Sequence, residues 1–439
     1  MIRVSGDNAI GIVQQRWQGK AIAEMTSHTA HLGHIVDSRG EILDEAVLTL
    51  FRAPNSFTGE DVVEISCHGS MWIQQQVVAA LIDAGCRAAT GGEFTQRAFA
   101  NGKMDLSQAE AIADVIASQS RASHHVAMNQ MRGAFSRQLT TLRSQLLQFV
   151  SLIELELDFS EEDVTFADRE RLTTLATNIK NVIDSLAHSY QAGNAIKNGL
   201  PVAIVGPTNA GKSTLLNTLL GDDRALVSDI RGTTRDVIED TVVMGGTLLR
   251  FIDTAGIRES HDVIESMGIE RSFKKMDEAR IVLWVIDATA PVAEIDDFYS
   301  QIKEHCHDKA VIAVVNKIDA GDTQPIVEKL KGIDVKVAEI SARETTGIEQ
   351  LKNDIITAAA LPQVTDENAV IVTNARHYHA LVRAGKAIDR TLQGLSTALS
   401  GDLLSQDIRE CMHYLGEITG EISTDDILGE IFAHFCVGK

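Results

Sequence analysis

Nine residues at 206–214, Gly-Pro-Thr-Asn-Ala-Gly-Lys-Ser-Thr, have the types and the spacing that binding a phosphate chain requires. Glycines allow the backbone to turn so that successive N–H groups point at an anion. Lys212 can reach the β- and γ-phosphates of a nucleotide, and Ser213 can offer its hydroxyl to Mg²⁺. A chance match in a chain of this length has odds on the order of one in a hundred. The pattern therefore predicts a phosphate-binding loop rather than an ordinary Gly-rich turn.

Three further motifs follow in the order that a guanine nucleotide site needs. Asp253-Thr254-Ala255-Gly256 offers a carboxylate for the Mg²⁺ shell and a backbone N–H for the γ-phosphate. Asn316-Lys317-Ile318-Asp319 ends in a carboxylate that can accept hydrogen bonds from the guanine N1–H and exocyclic amine, a donor pair that adenine lacks. Ser341-Ala342-Arg343 can present backbone N–H groups to the guanine O6. Together with the loop at 206–214, these motifs predict a GTPase domain.

The segment 229–236 lies between the loop and Asp253, where the first switch of a GTPase belongs, and its Thr234 is the candidate second protein ligand of Mg²⁺. Apolar residues after the loop carry helical spacing, so a helix N-terminus should point at the phosphates. Apolar and β-rich runs predict strands, several of which end at the motifs. These runs lie at 45–51, 61–66, 200–205, 248–252, 311–315 and 335–340.

The composition of the chain excludes several classes of protein. Its 439 residues are enough for two or three domains, and its net charge of −21 argues against a broad basic surface for non-specific RNA or DNA binding. The cysteines are odd in number, scattered and without a Cys-x-x-Cys pair, which predicts reduced thiols and no zinc site. No apolar run approaches the length of a membrane span, and residues 1–6 form no signal peptide. We therefore expect a cytoplasmic protein with neither a DNA partner nor a membrane partner.

Changes of pattern divide the chain into four segments. Residues 1–101 mix short β-rich runs with turns, and residues 102–199 are helical. The GTPase motifs occupy 200–362, and helical spacing returns at 363–439. We therefore predict a GTPase domain inserted into a helical bundle. The apolar stripes that indicate the bundle are Leu139, Leu142, Leu146, Phe149 and Ile153, then Leu381, Ala384, Ile388, Leu392, Leu395 and Leu399, then Leu404, Ile408, Cys411 and Leu415.

Along essentially its full length the chain resembles one family, the tRNA modification GTPase MnmE, also called TrmE. The GTPase motifs would fit many relatives, but three other segments are specific to this family: 54–61, 92–103 and the C-terminal Cys436-Val437-Gly438-Lys439. The resemblance implies a multidomain α/β plus α fold. Its parts are an N-terminal α+β tetrahydrofolate-binding domain at 1–101, a helical bundle, and an inserted Ras-like P-loop GTPase domain.

The resemblance also implies a function. Family members are K⁺-dependent GTP hydrolases that work with an FAD-binding MnmG-type partner, to which the FAD belongs. Together they add a (carboxymethyl)aminomethyl group to carbon 5 of the wobble uridine of certain tRNAs. The one-carbon unit comes from a tetrahydrofolate derivative, 5-formyl or 5,10-methylene. A homodimer, paired through the N-terminal domain, and a heterotetramer with the partner are implied. Which tRNAs are modified, and whether glycine or ammonium donates the nitrogen, stay open.

Matching positions place Arg3, Glu64, Lys103 and Lys439 at the folate by this resemblance. Basic residues suit the folate carboxylates, and a carboxylate suits pterin-like N–H groups. Family members usually have a further strand and a Gly-rich loop before the segment that matches 2–6. The first strand is therefore apparently missing here, and two interpretations stay open: the start of the sequence was assigned too late, or the domain has lost this edge element.

Hydrolysis needs a placed water molecule, yet the residue after Gly256 is Ile257, whose apolar side chain cannot orient one. The resemblance gives that role to Glu265. It also implies that a K⁺ ion does the electrostatic work of an arginine finger. The matching K⁺ ligands are Asn209, Ser228, Ile230 and Thr233, and the Mg²⁺ ligands are Ser213 and Thr234.

Cys436 is the second candidate catalytic residue, in the uridine chemistry, where it would act as a nucleophile or as an acid. With the resemblance, the GTP-binding set is Asn209, Ala210, Gly211, Lys212, Ser213, Thr214, Ser228, Asp229, Ile230, Arg231, Gly232, Thr233, Thr234, Asp253, Thr254, Ala255, Gly256, Asn316, Lys317, Ile318, Asp319, Ser341, Ala342 and Arg343.

Two other classes of protein are weaker interpretations. A GTP-switched ribosome-assembly factor should carry a basic RNA-binding module, against which the net charge of −21 and the missing KH pattern count. A non-catalytic GTP-binding scaffold would have no use for Glu265 or Cys436.

Overall fold

The computed structural model separates the chain into two compact units. The first comprises Met1–Ala117, Ala127–Ile183 and Ala380–Lys439, and the second comprises Ser118–Val126 and Asp184–His379. The structure describes residues 1–158, 169–221, 240–252, 276–333, 335–359, 369–397, 399–422, 428 and 431–432, apart from the side chains of 155–158 and 294.

The N-terminal part of the first unit is an antiparallel sheet with helices packed on one face. Its elements are β1 (Ile2–Ser5), α1 (Ala9–Gln14), β2 (Trp17–Gln18), β3 (Thr29–Val36), β4 (Ile42–Phe51), β5 (Val62–Ser66), α2 (Met71–Asp83) and α3 (Glu93–Ala100). The strand order is β1-β5-β4-β3-β2. Successive side chains of a strand point to opposite faces of the sheet. On the covered face Ile35, Leu48 and Ile65 are buried, and they pack with Val13 of α1 and Val77 of α2.

Helices follow. They are α4 (Leu106–Ala117), α5 (Arg121–Met131), α6 (Ala134–Asp158) and α7 (Arg169–Asn198). The apolar stripe that predicted a long helix lies in α6, and all of its members from Leu139 to Ile153 are buried. Gly199, with φ +84°, separates the end of α7 from the next strand.

The second unit is built on a mainly parallel sheet. Its elements are β6 (Leu200–Val205), α8 (Lys212–Leu220), β7 (Asp240–Met244), β8 (Thr247–Ile252), β9 (Ile281–Asp287), α9 (Ala293–Ile302), β10 (Ala310–Asn316), α10 (Gln324–Lys331), β11 (Lys336–Glu339) and α11 (Ile348–Ala358). The strand order is β11-β10-β9-β6-β8-β7, and β7 alone of these described strands runs antiparallel to its neighbour. Buried apolar clusters cover both faces, with α8 and α11 on one and α9 and α10 on the other.

Two helices, α12 (Ala375–Ser396) and α13 (Gly401–Thr419), complete the described elements. In the first unit α13 packs against α4 and α6, and Arg390 of α12 pairs with Asp407 of α13 at 2.7 Å. An α+β part, a helical part and a parallel α/β part are thus present, which confirms the predicted fold class. Within the described ranges, every helix is too short or too polar to cross a membrane.

Candidate functional site

The phosphate-binding loop connects β6, inside the parallel sheet, to α8. Gly206 has φ +149° and Gly211 has φ +95°. A Cβ atom at Gly206 would collide with the Val285 carbonyl oxygen, and one at Gly211 would collide with the Asn316 amide. Both positions therefore require glycine, for conformation and for space. The loop reaches the N-terminus of α8, where Ser213 and Thr214 lie in the first helical turn.

The Lys212 side chain folds back over this loop. Its Nζ donates to the carbonyl oxygens of Gly206, at 2.9 Å, and Pro207, at 2.7 Å. Burial lowers the pKa of Lys212. Because these partners are neutral, the positive charge of the ammonium is left to balance an anion in the loop.

Asn316 joins the phosphate-binding loop to the segment at 341–343. It is 2 % exposed at the end of β10, its Nδ2 donates to the Ala210 carbonyl at 2.9 Å, and its Oδ1 accepts from the Ala342 N–H at 3.0 Å. Thr218 of α8 adds a hydroxyl bond to the Ala342 carbonyl, at 3.1 Å. Three of the predicted nucleotide-binding segments are therefore held together within the second unit.

The predicted base-recognition carboxylate lies in the same region. A hydrogen bond from the Ser341 side chain holds the pKa of Asp319 below its usual value. Ser341 is itself 1 % exposed, so this partner is fixed in position. The Asp319 carboxylate is therefore ionised at neutral pH and can act as an acceptor for the two guanine donors.

Several predicted site residues lie outside the described residues. Strand β8 runs parallel to β6 and ends at Ile252, directly before the Asp253 motif. The register pairs Ala203 of β6 with Ile252 of β8. The predicted residues outside the described ranges are Ser228, Asp229, Ile230, Arg231, Gly232, Thr233, Thr234, Asp253, Thr254, Ala255, Gly256, Glu265, Cys436 and Lys439.

Two of the predicted folate residues meet at the edge of the N-terminal sheet. Arg3 of β1 and Glu64 of β5 are register partners, and Arg3 Nε donates to Glu64 Oε1 at 2.6 Å. Their side chains are 26 % and 21 % exposed. Lys103 donates to the Pro54 carbonyl at 2.8 Å and so ties the two N-terminal family segments together.

A chain of charged side chains, which sequence reasoning missed, connects the same two segments. Arg97 of α3 binds both carboxylate oxygens of Glu60, at 3.1 and 3.0 Å, and Glu93 at 3.0 Å. Arg87 binds Glu93 at 2.5 Å, and the Ser5 hydroxyl donates to Glu60 at 2.8 Å. The sequence offered one signal for this contact: Glu60 and Arg97 lie in the segments 54–61 and 92–103, which are specific to the family. The network fixes the C-terminal end of β1, the strand that carries Arg3.

Glu93 gives this network a predictable response to acid. Hydrogen bonds from Arg87, and more weakly from the Thr90 N–H and Arg97, outweigh burial and lower its pKa from 4.5 to about 2. Its contribution to stability is therefore complete above pH 4.5 and is lost as the pH falls toward 2. We expect Glu93→Gln to lower the free energy of unfolding of the first unit by about 3 kcal/mol at pH 7 and by about 1 kcal/mol at pH 3.

Urea unfolding followed by tryptophan fluorescence at both pH values measures this difference. The control is Glu349→Gln, which removes a carboxylate paired with Lys352 on the surface of the second unit. An equal loss at pH 7 and pH 3 would contradict the assignment of the low pKa to Glu93.

Comparisons with known proteins cover the whole chain. Residues 1–103 match the family described as "GTP-binding protein TrmE N-terminus", and residues 106–436 match the "MnmE helical domain". A curated protein of Bacteroides thetaiotaomicron named tRNA modification GTPase MnmE is 54% identical over 448 residues, covering 100% of this chain and 96% of its own. The protein of the same name from Flavobacterium johnsoniae is 50% identical with the same coverage.

A solved structure of a tyrosine-to-alanine variant of Aquifex aeolicus Era bound to GDP·AlF4⁻ is 30% identical over 43% of this chain and 66% of its own, with a TM-score of 0.29. A score of that size establishes no shared fold. The family matches and the curated relatives show the family of this chain without that structure. The chain belongs to the MnmE family of tRNA modification GTPases.

Proposed function

We propose that the protein is a K⁺-dependent GTP hydrolase that, with an FAD-binding MnmG-type partner, modifies the wobble uridine of certain tRNAs. The modification adds a (carboxymethyl)aminomethyl group to carbon 5, with a tetrahydrofolate derivative as the one-carbon source. The proposal rests mainly on the two hydrogen bonds of the Asn316 side-chain amide. In a chain of this family, they tie the phosphate-binding loop to the segment at 341–343.

The phosphate side of the site supports GTP hydrolysis. The glycine positions of the loop leave no room for a Cβ, so the backbone N–H groups can approach a phosphate closely. Lys212 neutralises charge at the β- and γ-phosphates, and Ser213 with Thr234 would hold Mg²⁺, which supplies further neutralisation there. We propose that Glu265 orients the attacking water, because Ile257 cannot.

The loop also suits a monovalent cation. Asn209 has φ +62°, a left-handed conformation that asparagine tolerates better than most residues. Its carboxamide oxygen is a neutral ligand of the kind that K⁺ accepts, and Ser228, Ile230 and Thr233 would complete the site. A cation there supplies the electrostatic stabilisation that an arginine finger gives in other GTPases.

The N-terminal sheet supports the folate part of the proposal. Arg3 and Glu64 are half-buried and already paired. A ligand that offers both a carboxylate and N–H donors can therefore replace each of these residues as the partner of the other. Lys103 and Lys439 would supply further positive charge for the folate carboxylates. We propose that two chains pair through this domain in the cytoplasm and that Cys436 acts in the uridine chemistry beside the folate.

Nucleoside analysis of tRNA tests the proposed function. A strain without this gene should lack the modified wobble uridine, and the intact chain should restore it. Lys212→Ala should not restore it, because GTP turnover is lost. Lys309→Ala is the matched control, since Lys309 also donates to two backbone carbonyls, those of Asp277 and Ala279, far along the sequence from the loop. Unchanged tRNA together with a defect in ribosome assembly would favour the ribosome-assembly alternative instead.

A further inference from the structure

Asp287, the last residue of β9, contacts the base-recognition segment, residues 316–319. This segment begins at the end of β10, the strand next to β9. Its Oδ2 accepts from Lys317 Nζ at 2.5 Å. Its Oδ1 accepts from both the N–H and the hydroxyl of Thr289, at 2.9 and 2.7 Å. The carboxylate is therefore oriented by Thr289 through one oxygen and bound to Lys317 through the other.

Several contacts hold the backbone of the recognition segment against the end of β9. Lys317 has φ +66°, a left-handed conformation that costs energy for a residue with a side chain. The segment rests on the end of β9, where the Ala288 N–H donates to the Asn316 carbonyl at 2.8 Å. Gly321 approaches the Ala288 carbonyl so closely that a Cβ would collide with it. Asp287 supplies the one charged bond among these contacts.

The charge state of Asp287 suits this role. Burial opposes its ionisation, but the hydrogen bonds from Lys317 and Thr289 outweigh burial and lower its pKa. The Asp287 side chain is 19 % exposed and that of Lys317 is 36 % exposed, so water screens the pair only in part.

We propose that Asp287 is a positioning residue for guanine recognition: it anchors Lys317 so that the segment 316–319 presents Asp319 to the base. The inference rests on the proposed binding of guanine nucleotides. In this role Asp287 acts through Lys317, to which its Oδ2 is bonded, and needs no contact with the nucleotide. Its loss should therefore shorten the residence of the nucleotide while leaving the phosphate-binding loop in place.

Release of a fluorescent GDP analogue from the full-length protein tests the proposal. In Asp287→Asn, which keeps the shape and removes the charge, the dissociation rate should rise about tenfold. KM for GTP should rise by a similar factor, with a smaller effect on kcat. Asp296→Asn is the matched control, because it breaks a lysine–aspartate pair with Lys329 elsewhere in the same unit. An unchanged dissociation rate in Asp287→Asn would overturn the inference.

A double-mutant cycle separates positioning from a general loss of structure. Lys317→Met keeps the apolar stem and removes the ammonium, so the Asp287→Asn change should have almost no further effect in that background. If the tenfold change persists without the ammonium, Asp287 does not act through Lys317 and the inference is wrong. Failure of the intact protein to bind the GDP analogue would refute the proposed function, and the inference with it.

Discussion

Lys212→Ala is expected to lower the rate of GTP hydrolysis by about 10³-fold. The ammonium is the cation of the phosphate-binding loop, and its partners, the Gly206 and Pro207 carbonyls, are neutral. Removing it leaves the charge that develops between the β- and γ-phosphates without its fixed counter-charge. Phosphate release from GTP, measured in potassium buffer with saturating Mg²⁺, gives the rate directly.

Lys309→Ala is the control for this change. It removes a lysine that also donates to two backbone carbonyls of the second unit, at 2.9 Å each. It should hydrolyse GTP at the rate of the unchanged protein. A Lys212→Ala protein that retained a tenth or more of the original rate would mean that the loop at 206–214 is not the catalytic phosphate site.

GTP hydrolysis in KCl is expected to exceed that in NaCl by about 100-fold at equal ionic strength. Na⁺ is too small to reach the same oxygens, so it cannot give the electrostatic stabilisation that we propose for K⁺ beside the loop. The Asn209→Gly variant isolates the contribution of the Asn209 side chain to the K⁺ effect, because glycine adopts the left-handed φ of +62° without strain. We expect this variant to fall toward the rate in NaCl while keeping its affinity for GTP.

His28→Gly is a suitable control, because His28 also has a left-handed φ, +64°, but lies in the N-terminal part of the first unit. Its ratio of rates in the two salts should match that of the unchanged protein. Equal rates in KCl and NaCl for the unchanged protein would rule out a K⁺ site. A salt preference retained in full by Asn209→Gly would exclude the Asn209 side chain as its ligand.

The sequence predicts β6, β8, β10 and β11 of the second unit, where local pattern and burial agree, but the runs identified include neither β7 nor β9. The run at 200–205 is β6, the run at 311–315 lies in β10, and 335–340 contains β11. The internal parallel strands β6 and β10 are buried on both faces, so each is a continuous apolar run, whereas β11 at the edge of the sheet is partly exposed. The long helices α6, α12 and α13 are predicted for a similar reason, since the apolar stripe of each is largely buried, but no stripe is identified for α7.

The N-terminal part is less readable from its sequence. Short β-rich runs indicate β4 and β5, but the pattern gives no sign of α2, a helix of 13 residues. Met71 and Trp72 of α2 are 75% and 60% exposed, so its apolar residues do not mark a single buried face. The pattern also hides the contact between Glu60 and Arg97, because residues so far apart in the chain meet only through tertiary folding.

The Asn316 amide also affects the rates at which nucleotide enters and leaves. Folding has already fixed the phosphate-binding loop against the segment at 341–343, so little conformational entropy is left to lose when a ligand arrives. Preorganisation of this kind favours rapid capture. The same two bonds couple the walls of the pocket: the loop and the segment at 341–343 cannot separate without breaking an amide hydrogen bond.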